Sequence, residues 1–535
     1  MLLHKILHAR RWLGALSLAV SAVALVALPA QAKTLRWTSS GDAMTFDPHA
    51  FNNALTNGFA GYIHDALVHY DLDFNIEPGL AVEWSSPEPT RWRFKLRSGV
   101  KFHDGTAFGA DDVVFSMERA MAPTSGFKVY VAGITAVRKV DDATVDVVLS
   151  GPNPVLLRQL TGVRIMSKAW ATKNKVEKPQ NYAQKEETFA VRNANGTGPF
   201  ILRSTQSDAR TVLVRNTAWW GWSKAPGNVT EVIYTPIVAD ATRLAALLSG
   251  EVDFVLDPAP QDIPRLRSTP GVKVVEGPEY RTILLGMDHG RSELLFSSVK
   301  GRNPLKDLRV RQALYQSIDI EAVKRVTMRG LAQPAGAYVS PQVAGWTAAG
   351  DRRLPYDPAR AKALLAEAGY PQGFEITLDC PNNRYMNDEE ICKALTSFWA
   401  KIGLNVRLNA LPAATFFPKI QRGETSLYLF GWGVPTFDAL YTLQSLVRTP
   451  GGGADGNWNF GKYSNASLDA AIDRLKTEGD PLVRNRVMEQ ALRQAQDDVA
   501  LIPLHHQVPP WLARANVSVV HRANNLLDLR FVKVD

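Results

Sequence analysis

Residues 92–119 constrain the fold more than any other part of this 535-residue chain. Apolar and basic side chains alternate from Trp92 to Arg97, which is the two-residue period of a half-buried strand. The pair Asp104-Gly105 provides a turn. Ala110 then begins a stretch with helical spacing whose first turn is acidic, as the helix dipole favours. The segment predicts a strand, a tight reversal of the chain and a helix.

The first 32 residues have the composition of an export signal. Three basic residues (Lys5, Arg10 and Arg11) precede an apolar core, 13–28, and Ala30-Gln31-Ala32 fits the small-residue cleavage rule. The alternative is a membrane anchor, but the apolar stretch is short for a bilayer span. We therefore predict a signal peptide over 1–32, cleaved after Ala32. In a bacterium with two membranes, the mature protein is then periplasmic, without a lipid anchor because no cysteine stands at the cleavage site.

Length and charge limit the remaining possibilities. Cleavage would leave about 500 residues, too many for one hydrophobic core, so two or three lobes are expected. The formal net charge is +9, and part of it leaves with the signal peptide. The other basic residues are scattered and have acidic neighbours, which indicates a mildly basic solvated surface and not a nucleic-acid interface.

Cys380 and Cys392 are the two cysteines of the chain. A pair of cysteines in an oxidising compartment favours a disulfide that closes a short loop. The alternative is two unrelated buried thiols. A zinc site is not expected, because no further ligands with suitable spacing stand nearby.

Helix and strand patterns alternate clearly in the C-terminal half. Asp357-Pro358 begins one helix and Gly369 ends it. A strand over 374–378 follows, and Asp388 is expected to cap the next helix. Similarly, Asp240 is expected to cap a helix in the first half. This alternation predicts an α/β fold. No low-complexity linker separates the lobes, so we expect crossing strands to join them.

Several short motifs of the sequence resemble those of a known protein family. The run 92–119 resembles a signature of the periplasmic solute-binding proteins that serve peptide and nickel ABC importers (family 5), among which the dipeptide- and oligopeptide-binding proteins are well known. Further family phrases occur in the expected order at 46–49, 196–200, 243–253, 303–314 and 356–374. The resemblance covers nearly all of residues 33–535.

The resemblance implies a large two-lobed binding protein of the Venus-flytrap type with an extra insert domain. Lobe I would consist of 33–75, 196–285 and 505–535, the insert of 76–195, and lobe II of 286–504. Such a receptor closes on a peptide or peptide-like solute and delivers it to the permease subunits of an ABC importer. It breaks no bond, so neither catalytic residues nor a cofactor are expected. The protein is expected to be a monomer without a nucleic-acid partner.

Candidate ligand contacts follow from the same resemblance. In the family, a strand that ends in Gly-Trp presents the ligand to the second lobe, and here Trp432 ends that strand; from the residues alone, a core position is the alternative. Arg384 follows the strand 374–378 and resembles the arginine that dipeptide-binding members use for the ligand carboxylate; a surface arginine is the alternative. Tyr385 and Asn387 are neighbouring candidates.

One departure from the family pattern concerns the ligand's amino terminus. Peptide-binding members often hold it with an aspartate near the position of Val434. Asp438 lies a little further along and is the candidate substitute. Asp47, in the loop after the first strand, completes the candidate set. The ligand is therefore expected to be a blocked peptide, an opine-like or other amino-acid conjugate, or another small solute.

The sequence fits two other functions less well. A carrier of nickel or a metal chelate on the same fold is suggested by His505-His506, but adjacent residues on a strand point to opposite faces, so no metal site is predicted. A periplasmic hydrolase would need a nucleophile with a base beside it, and no such pair is recognisable. Residues 456–462 have P-loop spacing, but Tyr463 stands where Ser or Thr is required.

Overall fold

The described β-strands form two large mixed sheets, a four-stranded antiparallel sheet and two two-stranded antiparallel pairs. The computed structural model describes residues 32–451 and 455–535, so the predicted signal peptide lies outside the described residues except for Ala32. The strands are β1 (Thr34–Thr38), β2 (Val68–Tyr70), β3 (Ile76–Pro78), β4 (Ala81–Glu88), β5 (Arg91–Leu96), β6 (Ile134–Asp141), β7 (Thr144–Leu149), β8 (Phe200–Gln206), β9 (Arg210–Arg215), β10 (Glu231–Tyr234), β11 (Phe254–Val255), β12 (Val272–Glu276), β13 (Arg281–Met287), β14 (Ala332–Pro334), β15 (Glu375–Pro381), β16 (Asn405–Leu411), β17 (Leu427–Gly433), β18 (Ile502–Gln507), β19 (Pro510–Arg514), β20 (Val517–Ser518) and β21 (Lys533–Val534).

Helices alternate with these strands, which confirms the predicted α/β class. They are α1 (Ala54–Ile63), α2 (Ala110–Met121), α3 (Leu156–Leu160), α4 (Lys168–Lys173), α5 (Asp240–Ser249), α6 (Ile263–Leu266), α7 (Leu308–Gln316), α8 (Ile320–Ala322), α9 (Pro358–Glu367), α10 (Asp388–Ala400), α11 (Ala413–Gln421), α12 (Leu440–Thr442), α13 (Ala466–Leu475) and α14 (Pro481–Asp497). Single π-helical turns continue α8 over Val323–Thr327 and α12 over Leu443–Val447.

The seven-stranded sheet combines distant parts of the chain. Its order is β12-β19-β11-β1-β10-β9-β8, with β1 parallel to β10 and β11. β19, from the C-terminal end of the chain, lies between β11 and β12 and runs antiparallel to both. Trp37, Phe254 and Trp511 belong to the buried core of this sheet. The first and last parts of the chain are therefore held in one unit.

The six-stranded sheet has the order β14-β18-β13-β17-β15-β16. β15 is parallel to β16 and β17, whereas β13 pairs antiparallel with both β17 and β18. α7, α9 and α10 cover one core of this sheet with residues such as Leu314, Leu365 and Leu395. The ends of β13, β15 and β17 lie at the candidate site described below.

The segment 92–119 forms the predicted elements. β5 pairs between β4 and β7 in a four-stranded antiparallel sheet of order β4-β5-β7-β6. Phe94 and Leu96 face its core, and Val113 and Met117 of α2 pack on the same core. The apolar positions of the period-two and helical patterns are therefore the ones that are buried in the structure.

Helix starts follow the predicted residues with two small corrections. Asp357 caps α9 by accepting a hydrogen bond from the backbone N–H of Arg360. Asp240 and Asp388 were expected to be N-caps, but each is instead the first helical residue, after Ala239 and Asn387. An acidic side chain in the first turn still interacts favourably with the helix dipole, so the same residue type suits both positions. Among the described residues, no helix is sufficiently long and apolar to span a bilayer.

Candidate ligand-binding site

A cavity of about 360 Å³ lies where the six-stranded sheet faces α1, the C-terminal segment and the loop after α3. Its volume is within the range of small-molecule sites. The side with the six-stranded sheet contributes Tyr280, Arg281, Arg384, Tyr385, Phe417, Gly431, Trp432, Gly433, Pro435, Phe437, Tyr441 and Trp458. The opposite side contributes Asn52, Asn53, Ala54, Asn57, Tyr70, Tyr130, Thr161, Gly162, Arg164, Asn524 and Leu526.

Trp432 forms a flat aromatic wall of this cavity. It lies near the end of β17 opposite Thr282 of β13. Its ring stacks on Tyr441, with centroids 5.3 Å apart and planes at 23°, and packs against Trp458 at 5.5 Å. Its buried indole N–H has no hydrogen-bond partner among the described residues. The side chain combines an apolar face with one unused donor, which suits a peptide-like group.

The loop between β15 and α10 presents Arg384 and Tyr385 to the cavity. The Asp388 carboxylate holds this loop by accepting the backbone N–H groups of Arg384 and Tyr385, at 2.9 and 3.0 Å. The Tyr385 hydroxyl donates to the carbonyl of Gly431 at 3.2 Å. A Cβ atom at Gly431 would lie 2.7 Å from the Tyr385 ring, so a glycine is required for this approach. The sequence-predicted Trp432, Arg384 and Tyr385 are thus brought together.

Arg281, at the start of β13, adds a second positive charge beside Arg384. The guanidinium carbons of Arg281 and Arg384 lie 5.9 and 5.1 Å from the centroid of the Tyr385 ring. Burial lowers the pKa of Arg384, and the nearby charge of Arg281 lowers it further. Burial also acts to lower the pKa of Arg281, but Glu279, 3.1 Å away, outweighs it and raises the pKa. The Arg384 guanidinium has no carboxylate partner in the described part of the chain.

Arg164 provides a third positive charge, on the opposite side of the cavity. Burial lowers its pKa to about 10, so the guanidinium remains charged at neutral pH. Sequence reasoning missed Arg164 and Arg281. For Arg281, the usable signal is its position at the start of a strand whose neighbour ends in Gly431-Trp432-Gly433; for Arg164 no local signal exists.

Asp438 and Asp47 are engaged away from the cavity. Asp438 forms two hydrogen bonds with the Arg484 guanidinium, at 2.5 and 2.8 Å, and both side chains are buried. Asp47 forms two bonds of 2.6 Å with Arg119 and also accepts from the backbone N–H of Gln180. Burial acts to raise the pKa of Asp47, but Arg119 outweighs it and the pKa is lowered. Neither carboxylate is free to hold an ammonium group.

Asn387 also lies outside the cavity lining. Its side-chain amide donates to the carbonyl of Thr327 at 2.8 Å and accepts from Gln261 at 3.1 Å. It has a positive φ of 51° immediately before α10. The residue therefore joins the start of α10 to neighbouring segments instead of facing the solute.

The cysteine and histidine pairs are both buried in the six-stranded sheet region. Cys380 of β15 and Cys392 of α10 form a disulfide with Cα atoms 6.5 Å apart. His505 and His506 are adjacent on β18; His506 contacts Thr282 at 3.0 Å, and the two ring nitrogens of His505 have no partner among the described residues. Within the described ranges, no group of three or more His, Cys, Asp or Glu side chains is placed to hold a metal ion.

A comparison with family models identifies the class of protein. Residues 75–454 match the model of the bacterial extracellular solute-binding proteins, family 5. The chain belongs to this family. Family 5 proteins are substrate-binding components of ABC importers, which agrees with the function expected from the sequence.

Individual relatives of family 5 match almost the whole chain. The dipeptide-binding protein of Escherichia coli K12 is 29% identical over 527 residues, covering 92% of this chain and 94% of the relative. The glutathione-binding protein GsiB of Salmonella typhi is 27% identical over 507 residues, covering 92% of each.

A solved family 5 structure supports the fold. The ABC transporter-associated periplasmic binding protein DppA of Helicobacter pylori, solved with the peptide STSA, matches with a TM-score of 0.76 and 24% identity. The match covers 94% of this chain and 98% of that structure. The two-lobed fold of the family, predicted from the sequence, is thereby confirmed.

Proposed function

We propose that this family 5 protein is a periplasmic receptor that binds a peptide-like solute through a free carboxylate and delivers it to the permease of an ABC importer. The proposal rests on the positive charge of the cavity lining. This lining includes Arg164, Arg281 and Arg384, whereas no Asp or Glu is among the described residues that form it. Arg384 and Arg164 have no carboxylate partner in the described part of the chain, whereas Arg281 is paired with Glu279, so the lining carries an excess of positive charge that favours an anionic ligand.

Arg384 is proposed as the main carboxylate anchor. Its guanidinium is free of carboxylate partners, and the loop that carries it is fixed by Asp388. Arg281 lies on the same tyrosine ring and strengthens the local positive potential. A planar guanidinium binds a carboxylate through two parallel hydrogen bonds, which supplies both orientation and affinity.

Aromatic contacts are proposed to hold the body of the solute. Trp432, Tyr441 and Trp458 pack into one aromatic surface, and the unused indole N–H of Trp432 is available to a carbonyl of the solute. Since Val434 is apolar and Asp438 is paired with Arg484, no carboxylate is provided for an α-amino group. Recognition of a free amino terminus is therefore not part of the proposal.

The division into lobes is proposed from the same strands. The sequence boundaries at 285/286 and 504/505 fall within β13 and β18, which pair inside the six-stranded sheet. We therefore place the two crossings between the sheets at 277–280 and 508–509. The crossings are adjacent, because the backbone N–H of Glu279 donates to the carbonyl of Gln507 at 2.9 Å. Two adjacent crossing segments are suited to act as a hinge for closure.

Binding of four related probes tests the function. The mature protein, beginning at Lys33, would be titrated by calorimetry with Ala-Phe, N-acetyl-Ala-Phe, Ala-Phe-amide and N-acetyl-Ala-Phe-amide. We expect the two free acids to bind with similar affinity and the two amides to bind at least tenfold more weakly. Light scattering of the same samples is expected to give a monomer that becomes more compact with the acids.

Different outcomes would contradict different parts of the proposal. A large loss of affinity on acetylation would show that the amino terminus is recognised. Binding of nickel–histidine in preference to all four probes would favour carriage of a metal chelate. Recovery of a chemically altered probe would favour an enzyme.

A further inference from the structure

A second, smaller cavity of about 100 Å³ lies behind the ligand cavity. The two share Asn57, Arg164, Asn524 and Leu526 in their lining, so Arg164 stands at the boundary between them. The smaller cavity is also lined by Asp65, His69, Arg522, Asp528 and Arg530. We call it the recess. Several of these residues are charged, so the ion pairs among them determine whether the recess can attract a further ion.

The two carboxylates of the recess are occupied by other partners. Asp528 pairs with Arg522 at 2.5 Å and with Arg530 at 2.8 Å. Asp65 accepts hydrogen bonds from Thr197 and from the indole N–H groups of Trp219 and Trp220. Burial lowers the pKa of His69, which keeps that ring neutral at neutral pH. These ion pairs leave one arginine of the recess without a carboxylate partner in the described part of the chain.

That arginine is Arg164. Among the described residues, it has neither an ion-pair partner nor a hydrogen-bond acceptor for its side chain. A Cβ atom at Gly61 would lie 3.0 Å from a terminal nitrogen of Arg164, so the glycine leaves the space that the guanidinium needs. Arg164 is partly exposed and lines both cavities, so an anionic group in either cavity can reach its guanidinium and form charge-assisted hydrogen bonds with it.

The start of helix α1 adds positive potential to the same wall. Asn52, Asn53 and Ala54 line the ligand cavity, and the first turn of α1 carries no acidic residue. The Asn53 side chain already accepts the Leu55 N–H, but the N-terminus of a helix still attracts anions through the other first-turn N–H groups, which lack intrahelical partners. Arg164 and this helix end therefore both make the electrostatic potential more positive on the side of the cavity opposite Arg384.

We propose that Arg164 and the first turn of α1 form a second anion-binding subsite, so that the preferred solute carries two separated anionic groups. One group binds at Arg384 and Arg281, and the other at Arg164. This inference rests on the proposed function and specifies its substrate class as dianionic, amino-acid-derived conjugates without a required ammonium group. The occupant of the subsite is either the solute's own second anionic group or a free inorganic anion bound beside a monoanionic solute.

Matched probes that differ in one charge test the proposal. N-succinyl-Ala-Phe has a second carboxylate that N-acetyl-Ala-Phe lacks, and neither has an ammonium group. We expect the succinyl probe to bind the mature protein at least tenfold more tightly in buffer without phosphate. In the R164Q variant this preference should vanish, so that the succinyl probe loses at least tenfold more affinity than the acetyl probe. R164K should retain part of the preference.

R215Q is the matched control. Arg215 is also half-buried without a carboxylate partner, but it donates to the carbonyls of Gly227 and Val229 and lines neither the recess nor the ligand cavity. Both variants would be checked for an unchanged thermal transition. R215Q should keep the succinyl preference. If R164Q lowers affinity for both probes equally, Arg164 acts on the fold and the proposal is overturned.

Added phosphate distinguishes the two possible occupants. If 10 mM phosphate tightens binding of the acetyl probe in the wild type but not in R164Q, the subsite exists and holds a free anion. Equal affinity of the wild type for both probes, with no effect of phosphate, overturns the subsite while leaving the proposed receptor function intact. Failure of both probes, and of the simple free acids, to bind overturns the receptor function itself and the subsite with it.

Discussion

The rings of Phe74 and Phe437 stack with their centroids 4.0 Å apart and their planes at 24°. Phe74 belongs to the turn between β2 and β3, whereas Phe437 follows β17 of the six-stranded sheet. Both have positive φ angles, 62° and 50°, which are uncommon for residues other than glycine. Tyr70 and Tyr280 pack edge-on against Phe437. This contact joins the two sides of the ligand cavity at residues distant in sequence.

Replacing Phe437 with alanine is expected to weaken closure. An aromatic pair contributes about 0.5–1.5 kcal/mol beyond its buried area, so affinity for N-acetyl-Ala-Phe should fall roughly three- to tenfold. X-ray scattering should also give a larger radius at saturating probe. F296A is the control, because Phe296 has a similar φ of 50° but is exposed and lies away from the cavity. Identical effects of both substitutions would contradict a role in closure.

The charge of Arg384 is expected to determine affinity for the free acids. Hydrogen bonds to a charged partner contribute about 1.5–3 kcal/mol, so R384A should weaken binding roughly tenfold to a hundredfold. R384K should recover only part of this loss, since lysine lacks the planar fork. The exposed Arg407 of β16 provides the control variant R407A. Unchanged affinity of R384A in calorimetry would refute the assignment.

The Cys380–Cys392 bond is expected to stabilise the six-stranded sheet region. The two cysteines are 12 residues apart, and a loop of this size contributes roughly 3 kcal/mol in the chain-entropy account. Reductant should lower the free energy of unfolding measured in urea by about this amount. It should have no effect on the C380S/C392S double variant. Detection of two free thiols in the denatured, unreduced protein would rule the bond out.

Acid is expected to destabilise the protein through His505. Burial lowers the pKa of His505 to about 3, and His506 and Arg353 lower it further. Below about pH 6.5, His505 binds a proton in the unfolded chain but stays neutral in the folded protein. The free energy of unfolding therefore falls as the pH falls. Between pH 7 and pH 5, this group contributes a loss on the order of 2 kcal/mol. Urea titrations of H505L should show a correspondingly smaller loss, and an identical pH dependence would contradict the account.

The mature protein is expected to begin at Lys33. The small residues Ala30 and Ala32 fit the cleavage pocket of a signal peptidase, so a bulky residue at either position should prevent processing. N-terminal sequencing of the exported protein checks the position, and A32W provides the unprocessed comparison. Retention of Met1 on a membrane-bound wild-type protein would show that the segment is an anchor.

Local patterns predicted the elements but not the partners of charged side chains. The strand Arg91–Leu96 and the helix Ala110–Met121 follow from periodicity and turn residues, which depend on near neighbours. Asp47 and Asp438 were selected as ligand contacts, but Arg119 and Arg484 neutralise them from 72 and 46 residues away. Such long-range pairs leave no local trace in one sequence.

The same limit explains what was missed in the site. Trp432, Arg384 and Tyr385 were identified because a family resemblance marks their strand ends, and the structure brings them to one cavity. Arg164 and Arg281 reach that cavity only through the pairing of distant strands and the packing of the loop after α3. Whether an arginine is paired or free depends on tertiary structure, so the excess positive charge of the cavity was not foreseeable.

The position of β19 has a consequence for the order in which this protein is made and exported. Residues 510–514 separate β11 from β12, so the sheet that starts with residue 34 stays incomplete until nearly the whole chain has been synthesised. Contacts of such large sequence separation form slowly. A nascent chain that meets the export machinery before residues 510–514 are made has no finished seven-stranded sheet, and threading it through a narrow channel needs no prior unfolding of that sheet.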